Sequence, residues 1–404
     1  MRILYVTNTS HEGGSTIALV NIIRGMKQFG HEIFILTNSD NGILYELLSD
    51  MDVKIFSCNY CLTIYPLDKN PLKYIYGFFL HLYWWYNARK YIGKIIDENH
   101  IDLSDIDAVV GRGGGCYSVP GGIYTIDEKL IKDTAECKGE LYHSSMLGVQ
   151  MARRVQEKYG GIAIMTNPPV VDELCDLARL TGIKGIYRKA ISHALNLKAV
   201  AKKHCELHDL DYEHCNLIVC HIDGGISITA HKNGKMIDGN NAGGGEGPFT
   251  PTRMGSMAVT DVINHMLTLS KEEMRKYCSE AGGLSSYFHT SNADTVHKMI
   301  ENGDSEAKLV WNTMIYQVCK WIGSMSVVLE GKVDAIVLTG GLLRFKEVEE
   351  TIKQRCGWIS EVYSYPGEME HEAMALAAYN VLTGKEKALT YAGKPVFEGF
   401  EQIR

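Results

Sequence analysis

The sequence predicts an α/β protein with more than one domain. Short apolar runs typical of buried strands alternate with longer segments whose apolar residues recur at helical spacing. Many of the 40 glycines cluster directly after those runs, where tight turns or bound phosphate groups need a residue without a side chain. A chain of 404 residues is also too long for a single hydrophobic core.

The composition is typical of a soluble cytoplasmic protein and excludes two classes of partner. A net charge of -7 argues against a nucleic-acid partner, because binding to phosphate backbones requires a basic face. The 11 cysteines lack the spacing of metal sites, so we expect free thiols in a reducing compartment. No apolar run approaches the ~20 residues that a membrane-spanning helix requires, so no membrane span is expected.

The first sixty residues predict a parallel βαβ unit. Strands are expected at residues 2–7, 31–37 and 53–56. A helix from about Ser15 to Met26 separates the first two strands, because its apolar residues recur at helical spacing. The preceding Gly13-Gly14 pair is either a ligand-binding loop or a plain structural turn.

A long helix is expected from about Leu72 to Glu98. Its aromatic stretch at residues 74–86 predicts either a buried helix or a helix that lies on a membrane surface.

Residues 1–102 resemble the first Rossmann-like half of glycosyltransferases with the GT-B fold. The similarity lies in the opening MRILYVTNTSHEGGSTIALVNIIRGMKQFGHEIFILT, where a glycine-rich loop follows the first strand and GHE begins the second. The resemblance implies a Rossmann-like N-terminal segment. The sequence shows no second half of the kind that carries the sugar-nucleotide site, so glycosyl transfer is the least favoured activity.

Two glycine-rich motifs in the middle of the chain are suited to binding anions. In the first, at residues 110–115, Arg112 presents its guanidinium beside the backbone, where it can bind a substrate carboxylate or pair with an acid of the protein. In the second, at residues 217–228, Gly224-Gly225 joins two apolar strands. Its N–H groups can approach phosphate oxygens, although a simple hairpin has the same pattern.

Two further motifs extend this pattern towards the C-terminus. The loop at residues 238–253 is rich in glycine and ends in Arg253, which can stabilise the charge on a phosphoryl group during transfer. A buried strand at residues 333–339 opens into Gly340-Gly341, a turn typical of nucleotide contacts. Three acids then follow at the start of the last long helix, where one can hold Mg²⁺: Glu368, Glu370 and Glu372.

In this order the motifs resemble those of butyrate kinase over about residues 103–385. The similarity runs through DAVVGRGG, GGIYTIDEKLI, PPVVDELCDLARLTG, SHALNLKAVA, NLIVCHIDGGISITAH, NNAGGGEGPFTP, NGDSEAKLV, GKVDAIVLTGGL and YPGE. It implies the two-lobed acetate-kinase/actin-like architecture, which is related to ribonuclease H. The predicted limits are 103–200 for the remainder of the first lobe, 201–385 for the nucleotide-binding lobe and 386–404 for a C-terminal tail.

The family transfers the γ-phosphoryl group of ATP to a short-chain fatty acid and forms an acyl phosphate, with Mg²⁺ as cofactor and a homodimer as the implied assembly. By resemblance, Arg112 lies against the substrate carboxylate, His193 lies beside the transferred phosphoryl group, and Arg253 stabilises the transition state. Nucleotide contacts are implied for His221, Asp223, Gly224, Gly225, Gly340 and Gly341. Glu370, or an acid one or two residues away, is implied for Mg²⁺.

Three departures from the family pattern bear on activity. Asn167 replaces an aspartate of the catalytic site, and Asp223 replaces a usual glycine, so that a carboxylate faces the polyphosphate. The family's first phosphate loop and its lysine have no counterpart in residues 7–16. These departures favour either an impaired kinase or an inactive kinase-fold protein that binds nucleotide or acyl phosphate as a regulator.

The change of character near Ile101-Asp102 is abrupt and predicts a chimeric N-terminus. A natural fusion, an engineered join and a misassembled reading frame all produce such a sequence.

Overall fold

The structure is a computed structural model that describes residues 2–7, 20, 23, 24, 27, 32–37, 43–57, 106–139 and 145–401. The chain divides into one unit of residues 1–109 with 154–162 and a second unit of residues 110–153 with 163–404. The described strands are β1 (Arg2–Thr7), β2 (Glu32–Thr37), β3 (Lys54–Ser57), β4 (Ala108–Gly111), β5 (Ile123–Thr125), β6 (Ile162–Thr166), β7 (Asn216–Ile222), β8 (Ile226–Lys232), β9 (Lys235–Gly239), β10 (Ala335–Gly340) and β11 (Val362–Pro366). The described helices are α1 (Ile43–Leu47), α2 (Glu128–Ala135), α3 (Met146–Tyr159), α4 (Asp176–Arg179), α5 (Ala194–Leu207), α6 (Val259–Met266), α7 (Lys271–Ser279), α8 (Leu284–Phe288), α9 (Ala293–Glu301), α10 (Ser305–Val328), α11 (Lys346–Cys356) and α12 (Glu370–Leu382).

The first unit contains the parallel sheet that the sequence predicts. Its order is β1-β2-β3, with β2 parallel to both neighbours. Val20 and Ile23 are helical and buried, and they pack with Ile35 of β2 and Leu44 of α1. The parallel arrangement of residues 1–60 is therefore confirmed for the described strands. The Gly13-Gly14 loop and the predicted long helix lie outside the described residues, and the Rossmann-like assignment of residues 1–102 stays a prediction.

The central sheet of the second unit has the order β11-β10-β7-β8-β9. Strand β7 is parallel to β10 and antiparallel to β8. One face packs against α10, where Ile218 and Cys220 join the cluster that contains Trp311. The other face packs against α5, where Leu217 and Val219 are fully buried. Because both faces are covered, β7 reads as an uninterrupted apolar run rather than as an alternating pattern.

The alternation of side chains along β7 also positions the site. Residues two apart point to the same face of a sheet, so His221 lies on the α5 face together with Leu217 and Val219. The same rule sends Thr339 of β10 to that face, opposite His221 in the pairing register. Polar side chains therefore meet at one end of a buried strand pair, beneath the first turn of α5.

A smaller sheet of order β4-β6-β5 carries two further site segments. The glycine-rich loop with Arg112 begins at the last residue of β4, and Asn167 follows β6 directly. The strand predicted at residues 333–339 is found as β10, and the two apolar strands predicted on either side of Gly224-Gly225 are found as β7 and β8.

Three other expectations concern the chain as a whole. The cysteines that the structure describes are free thiols, as predicted. Over the described ranges, no helix is both long enough and apolar enough to cross a membrane. The predicted boundary near residues 101 and 102 lies outside the described residues, and the limit at residue 200 falls inside α5, so the domain limits stay predictions.

Candidate active site

A cavity of about 80 Å³ in the second unit collects residues from five distant segments. All five residues predicted for catalysis and for the metal line it: Arg112, Asn167, His193, Arg253 and Glu370. Backbone from the glycine-rich loop, at Ala242 and Gly243, closes another side. A site assembled from so many glycine-bordered segments is suited to a small anionic ligand.

Arg112 and Glu370 form an ion pair across this cavity. Arg112 Nη2 donates a hydrogen bond of 2.6 Å to Glu370 Oε1. The arginine side chain is 39% exposed, whereas the glutamate side chain is only 8% exposed. Burial raises the pKa of Glu370, and the charge of Arg112 opposes that shift. The residue predicted to bind a substrate carboxylate therefore holds a carboxylate of the protein itself.

Arg253 is a partly buried cation without an acidic partner among the described residues. Its Nη1 donates to the carbonyl oxygen of Ala242 at 2.9 Å. Its Nε atom is buried and has no hydrogen-bond partner in the part of the chain that the structure describes. Burial lowers the pKa of this guanidinium. An unpaired cation in such a place is costly unless an anion binds there.

Two threonines hold the Arg253 loop against the glycine turn of the central sheet. The hydroxyl groups of Thr250 and Thr252 donate to the carbonyl oxygen of Gly224, at 2.7 and 2.9 Å. The N–H of Arg253 donates to the Thr250 hydroxyl at 3.0 Å. A side chain at Gly225 would approach Arg253 Nη1 to 2.7 Å and His193 Cε1 to 2.9 Å, so it would displace the Arg253 guanidinium or the His193 ring.

His193 and His221 stack beside Arg253, with ring centroids 4.0 Å apart. His193 lies at the N-terminus of α5, and its Nδ1 is hydrogen-bonded to Ser227 Oγ at 2.8 Å. His221 Nδ1 is 2.9 Å from Asn196 Nδ2. Burial and the charges of Arg112 and Arg253 lower the pKa of His221 to about 4, although Asp223 opposes the shift. His221 is therefore neutral near pH 7.

Asp223 bridges the two glycine turns that were predicted to contact a nucleotide. Its Oδ1 accepts the N–H of Gly224 at 2.8 Å, and its Oδ2 accepts the N–H of Gly341 at 2.7 Å. Amide groups in such turns are the donors that bind phosphate oxygens in many proteins. A carboxylate of the protein thus occupies two of the donors that were predicted for a nucleotide.

A third acid completes a cluster at this point. Ligand atoms of His221, Asp223 and Glu368 lie within 4.8 Å of one another. Burial and the charges of Glu370 and Asp223 raise the pKa of Glu368 to about 8, and Arg112 opposes the shift. A divalent cation between these carboxylates would favour their ionised form. Glu370 does not belong to this cluster, since its carboxylate is bound by Arg112.

Asn167 has a local structural role as well as a place in the cavity wall. Its backbone lies in the left-handed region at φ 37°, which asparagine and aspartate tolerate better than most residues. Its Oδ1 accepts the N–H of Gly122 at 2.8 Å. An aspartate can adopt the same conformation and accept the same hydrogen bond.

Sequence reasoning missed two residues that shape the site, Asn196 and Ser227, and it named Glu368 only as one of three acids of which one can hold Mg²⁺. Glu368 had a usable signal, since it belongs to the YPGE motif and lies two residues before Glu370. Ser227 and Asn196 lie inside a strand and a helix that read as core. Their partners are 34 and 25 residues away, so no local pattern reveals them.

Known proteins resemble this chain over most of its length. A family model described as the acetokinase family matches residues 180–356. Butyrate kinase 2 from Clostridium acetobutylicum is 42% identical over 301 residues, which cover 74% of this chain and 84% of that protein. A probable butyrate kinase from Coprothermobacter proteolyticus is 39% identical over 304 residues, with coverage of 74% and 85%.

Solved acetate kinases share the fold. The enzyme from Porphyromonas gingivalis superposes with a TM-score of 0.61 at 20% identity, covering 73% of this chain and 84% of that chain. The enzyme from Entamoeba histolytica gives a TM-score of 0.62 at the same identity and coverage. The acetate-kinase-like fold predicted from the motifs is thereby confirmed. The comparisons give no support to a glycosyltransferase-like or chimeric N-terminus, which stays a prediction.

Proposed function

Because the chain belongs to the butyrate kinase family, we propose that it transfers the γ-phosphoryl group of ATP to a short-chain carboxylate and forms an acyl phosphate. The observation that carries this proposal is Arg253, a cation without an acidic partner among the described residues, whose buried Nε atom faces no acceptor. It lies beside His193 and the Gly225 turn. Phosphoryl transfer requires positive charge and fixed geometry at this point rather than a covalent protein group.

In this proposal Arg112 binds the carboxylate of the fatty acid. Its guanidinium has five N–H donors, and the described contact with Glu370 uses only Nη2. The remaining donors can bind a second carboxylate in the same plane. Glu370 then orients Arg112, and it is not the main ligand of the metal.

Arg253 and His193 would contact the transferred phosphoryl group from one side. Both lie within contact distance of a hypothetical side chain at Gly225, so the backbone at Gly225 can approach the same ligand. The amides of Gly224 and Gly341 would contact the ATP phosphates once the Asp223 carboxylate releases them.

Mg²⁺ fits the donor set of Asp223 and Glu368, because it prefers carboxylate oxygens and usually keeps several water ligands. When bound, it would neutralise phosphate charge and polarise the phosphoryl oxygens. By family resemblance, we further propose a cytoplasmic homodimer.

Trapping with hydroxylamine tests the activity directly. With ATP, Mg²⁺ and butyrate, the full chain should form an acyl hydroxamate, because an acyl phosphate reacts rapidly with hydroxylamine. Reactions without ATP, or with formate in place of butyrate, serve as controls. ATP binding without any hydroxamate, for acetate, propionate or butyrate, would favour the second candidate, an inactive kinase-fold regulator. Asn167 and Asp223 are the observations that keep this candidate open.

Replacing Asn167 by aspartate should raise the turnover number, by about tenfold. The change adds a carboxylate to the cavity wall, where Mg²⁺ would bind near the phosphoryl group, and it keeps the hydrogen bond to Gly122. Asn233→Asp is the matched control, since Asn233 also has a positive φ, of 51°, but lies on an exposed hairpin. Equal turnover in the unaltered chain and in Asn167→Asp would show that position 167 has no part in catalysis.

Replacing Asp223 by glycine should tighten ATP binding about tenfold when Mg²⁺ is absent. The change frees the N–H groups of Gly224 and Gly341 and removes a negative charge from the phosphate site. Calorimetry in the presence of a chelator measures the effect. Asp223→Asn is the control, since it removes the charge but leaves the side chain over the amides, and its gain should be smaller. Weaker metal-free binding in Asp223→Gly would contradict this assignment of the two turns.

A further inference from the structure

A buried asparagine connects four segments of the second unit just beneath the candidate active site. Asn196 is fully buried one turn into α5, three residues after His193. Its Oδ1 accepts the backbone N–H of Met369 at 2.8 Å. Its Nδ2 lies 2.9 Å from Nδ1 of His221 and 3.4 Å from Oγ1 of Thr339.

The hydrogen bond from Met369 fixes which way the amide points. A backbone N–H can only donate, so the atom that faces it must be the amide oxygen of Asn196. The NH₂ group therefore faces His221. Turning the amide over would place its NH₂ group against the Met369 N–H and would leave both donors without acceptors.

Thr339 supports the same orientation. Its hydroxyl donates to the carbonyl oxygen of Gly367 at 2.8 Å, so the lone pairs of Oγ1 are left to accept from Asn196 Nδ2. Both protons of the Asn196 amide then have an acceptor, one on Thr339 and one on His221. The donor and the acceptor of each hydrogen bond in this chain are therefore fixed, because the groups at its ends can only donate or only accept.

The tautomer of His221 follows from this chain. Because Asn196 donates to Nδ1, that nitrogen must carry a lone pair, and the proton of the neutral ring must be on Nε2. Nε2 lies 3.7 Å from Oε1 of Glu368. The ring therefore presents an N–H group, and not a lone pair, to the cluster that Glu368 forms with Asp223.

We infer that Asn196 is a positioning residue that holds His221 as an N–H donor towards the phosphoryl site and prevents it from ligating the metal. The inference rests on the proposed function for the identity of the acceptor, an oxygen of the bound phosphoryl group or of Glu368. Without the asparagine, His221, Asp223 and Glu368 would resemble a site for imidazole-binding metals. With it, only the two carboxylates offer ligand atoms, which is the chemistry that Mg²⁺ prefers.

The tautomer can be measured in the unaltered protein without any substrate. Nitrogen NMR of the full chain labelled with ¹⁵N-histidine distinguishes a ring nitrogen that bears a proton from one that bears a lone pair. We expect the proton of His221 on Nε2, with the resonance assigned from its loss in His221→Gln. A proton on Nδ1 in the unaltered protein would overturn the inference, whatever the activity assays show.

An isosteric variant then tests the role of Asn196. In Asn196→Asp a carboxylate oxygen faces Nδ1, so the proton should move to Nδ1 and the lone pair to Nε2. His231 is the internal reference, because its bonds to Tyr212 and Thr229 are independent of Asn196 and its resonances should not change. An unchanged His221 spectrum in a folded Asn196→Asp variant would contradict the inference.

The affinity for different metals is a second measurement, and it would not change if the role of Asn196 were purely structural. Asn196→Asp should bind Ni²⁺, an imidazole-binding metal, at least about tenfold more tightly than the unaltered chain. The double variant Asn196→Asp/His221→Gln should lose that gain. Equal Ni²⁺ affinity in all three proteins would also overturn the inference. Neither reading uses ATP or butyrate, so failure here is distinguishable from failure of the proposed kinase activity.

Discussion

Replacing Arg253 by alanine is expected to lower the rate of acyl phosphate formation by roughly 10³–10⁵-fold, the effect of charge-stabilising arginines in phosphoryl transfer. The expectation follows from its contacts. The one described hydrogen bond of its guanidinium is with the carbonyl oxygen of Ala242, and its buried Nε atom has no partner within the described ranges. Its charge is therefore left for a ligand.

The same variant should not unfold the protein. Removing a partly buried cation without an acidic partner among the described residues relieves a desolvation cost, so the free energy of unfolding should be unchanged or slightly higher. Arg253→Lys is the matched variant, since it keeps the charge but loses the planar fork, and it should recover only part of the rate. Hydroxamate trapping and urea unfolding on the three proteins decide the matter. An active Arg253→Ala variant would show that Arg253 has no part in catalysis. A variant that is inactive only because it unfolds would show that Arg253 is a structural residue.

Replacing Gly340 by alanine should lower the free energy of unfolding by about 3–5 kcal/mol. Its backbone has φ 109° and ψ 163°, a region open essentially only to glycine. An added Cβ would also overlap the backbone of Ile222, 2.6 Å from its carbonyl carbon. Neither the end of β10 nor the end of β7 can move far, because both strands are paired on both sides within the central sheet.

Substitutions at two other glycines separate the effect of backbone strain from the effect of the overlap with Ile222. Gly331 has φ 72° with open space around it, so Gly331→Ala should show the backbone strain alone, about 1–2 kcal/mol. Gly323 lies in helix α10, also in open space, and Gly323→Ala should stabilise the protein by roughly 0.5–1 kcal/mol. Urea unfolding of the three variants measures all of these effects. A loss in Gly340→Ala no larger than that in Gly331→Ala would rule out the predicted contact with Ile222.

Much of the fold could be predicted from sequence because its signals are local. The apolar runs of β7 and β10 and the glycines after them mark strands that end at turns, and the structure has them there. The helical spacing after the first strand likewise predicted the parallel pairing of β1 with β2. These features depend on neighbours along the chain, which a reader of the sequence can see.

The arrangement inside the site depends on partners far apart and could not be predicted in the same way. Arg112 and Glu370 are 258 residues apart, and Asn196 receives its orienting hydrogen bond from a residue 173 positions away. Asp223 shows the difference most clearly. Its sequence context predicts a carboxylate that repels phosphate, whereas the structure reveals two amide groups that hold the carboxylate in place.

The Asp223 bridge also bears on how much loop entropy the site would lose when a ligand binds. The carboxylate is an anion bound where another anion is expected. If a phosphate accepts from the same two N–H groups, the carboxylate would hold both glycine turns near the shape that the phosphate requires. An incoming nucleotide would then exchange one set of amide hydrogen bonds for another, and little loop entropy would be lost. Such a carboxylate lowers the equilibrium affinity, because it competes with the ligand for the same N–H donors. It also keeps the backbone of the site in place, so that binding needs no rearrangement of that backbone. In this chain the Asp223 side chain would therefore lower the affinity for a nucleotide and keep the two glycine turns ordered before one binds.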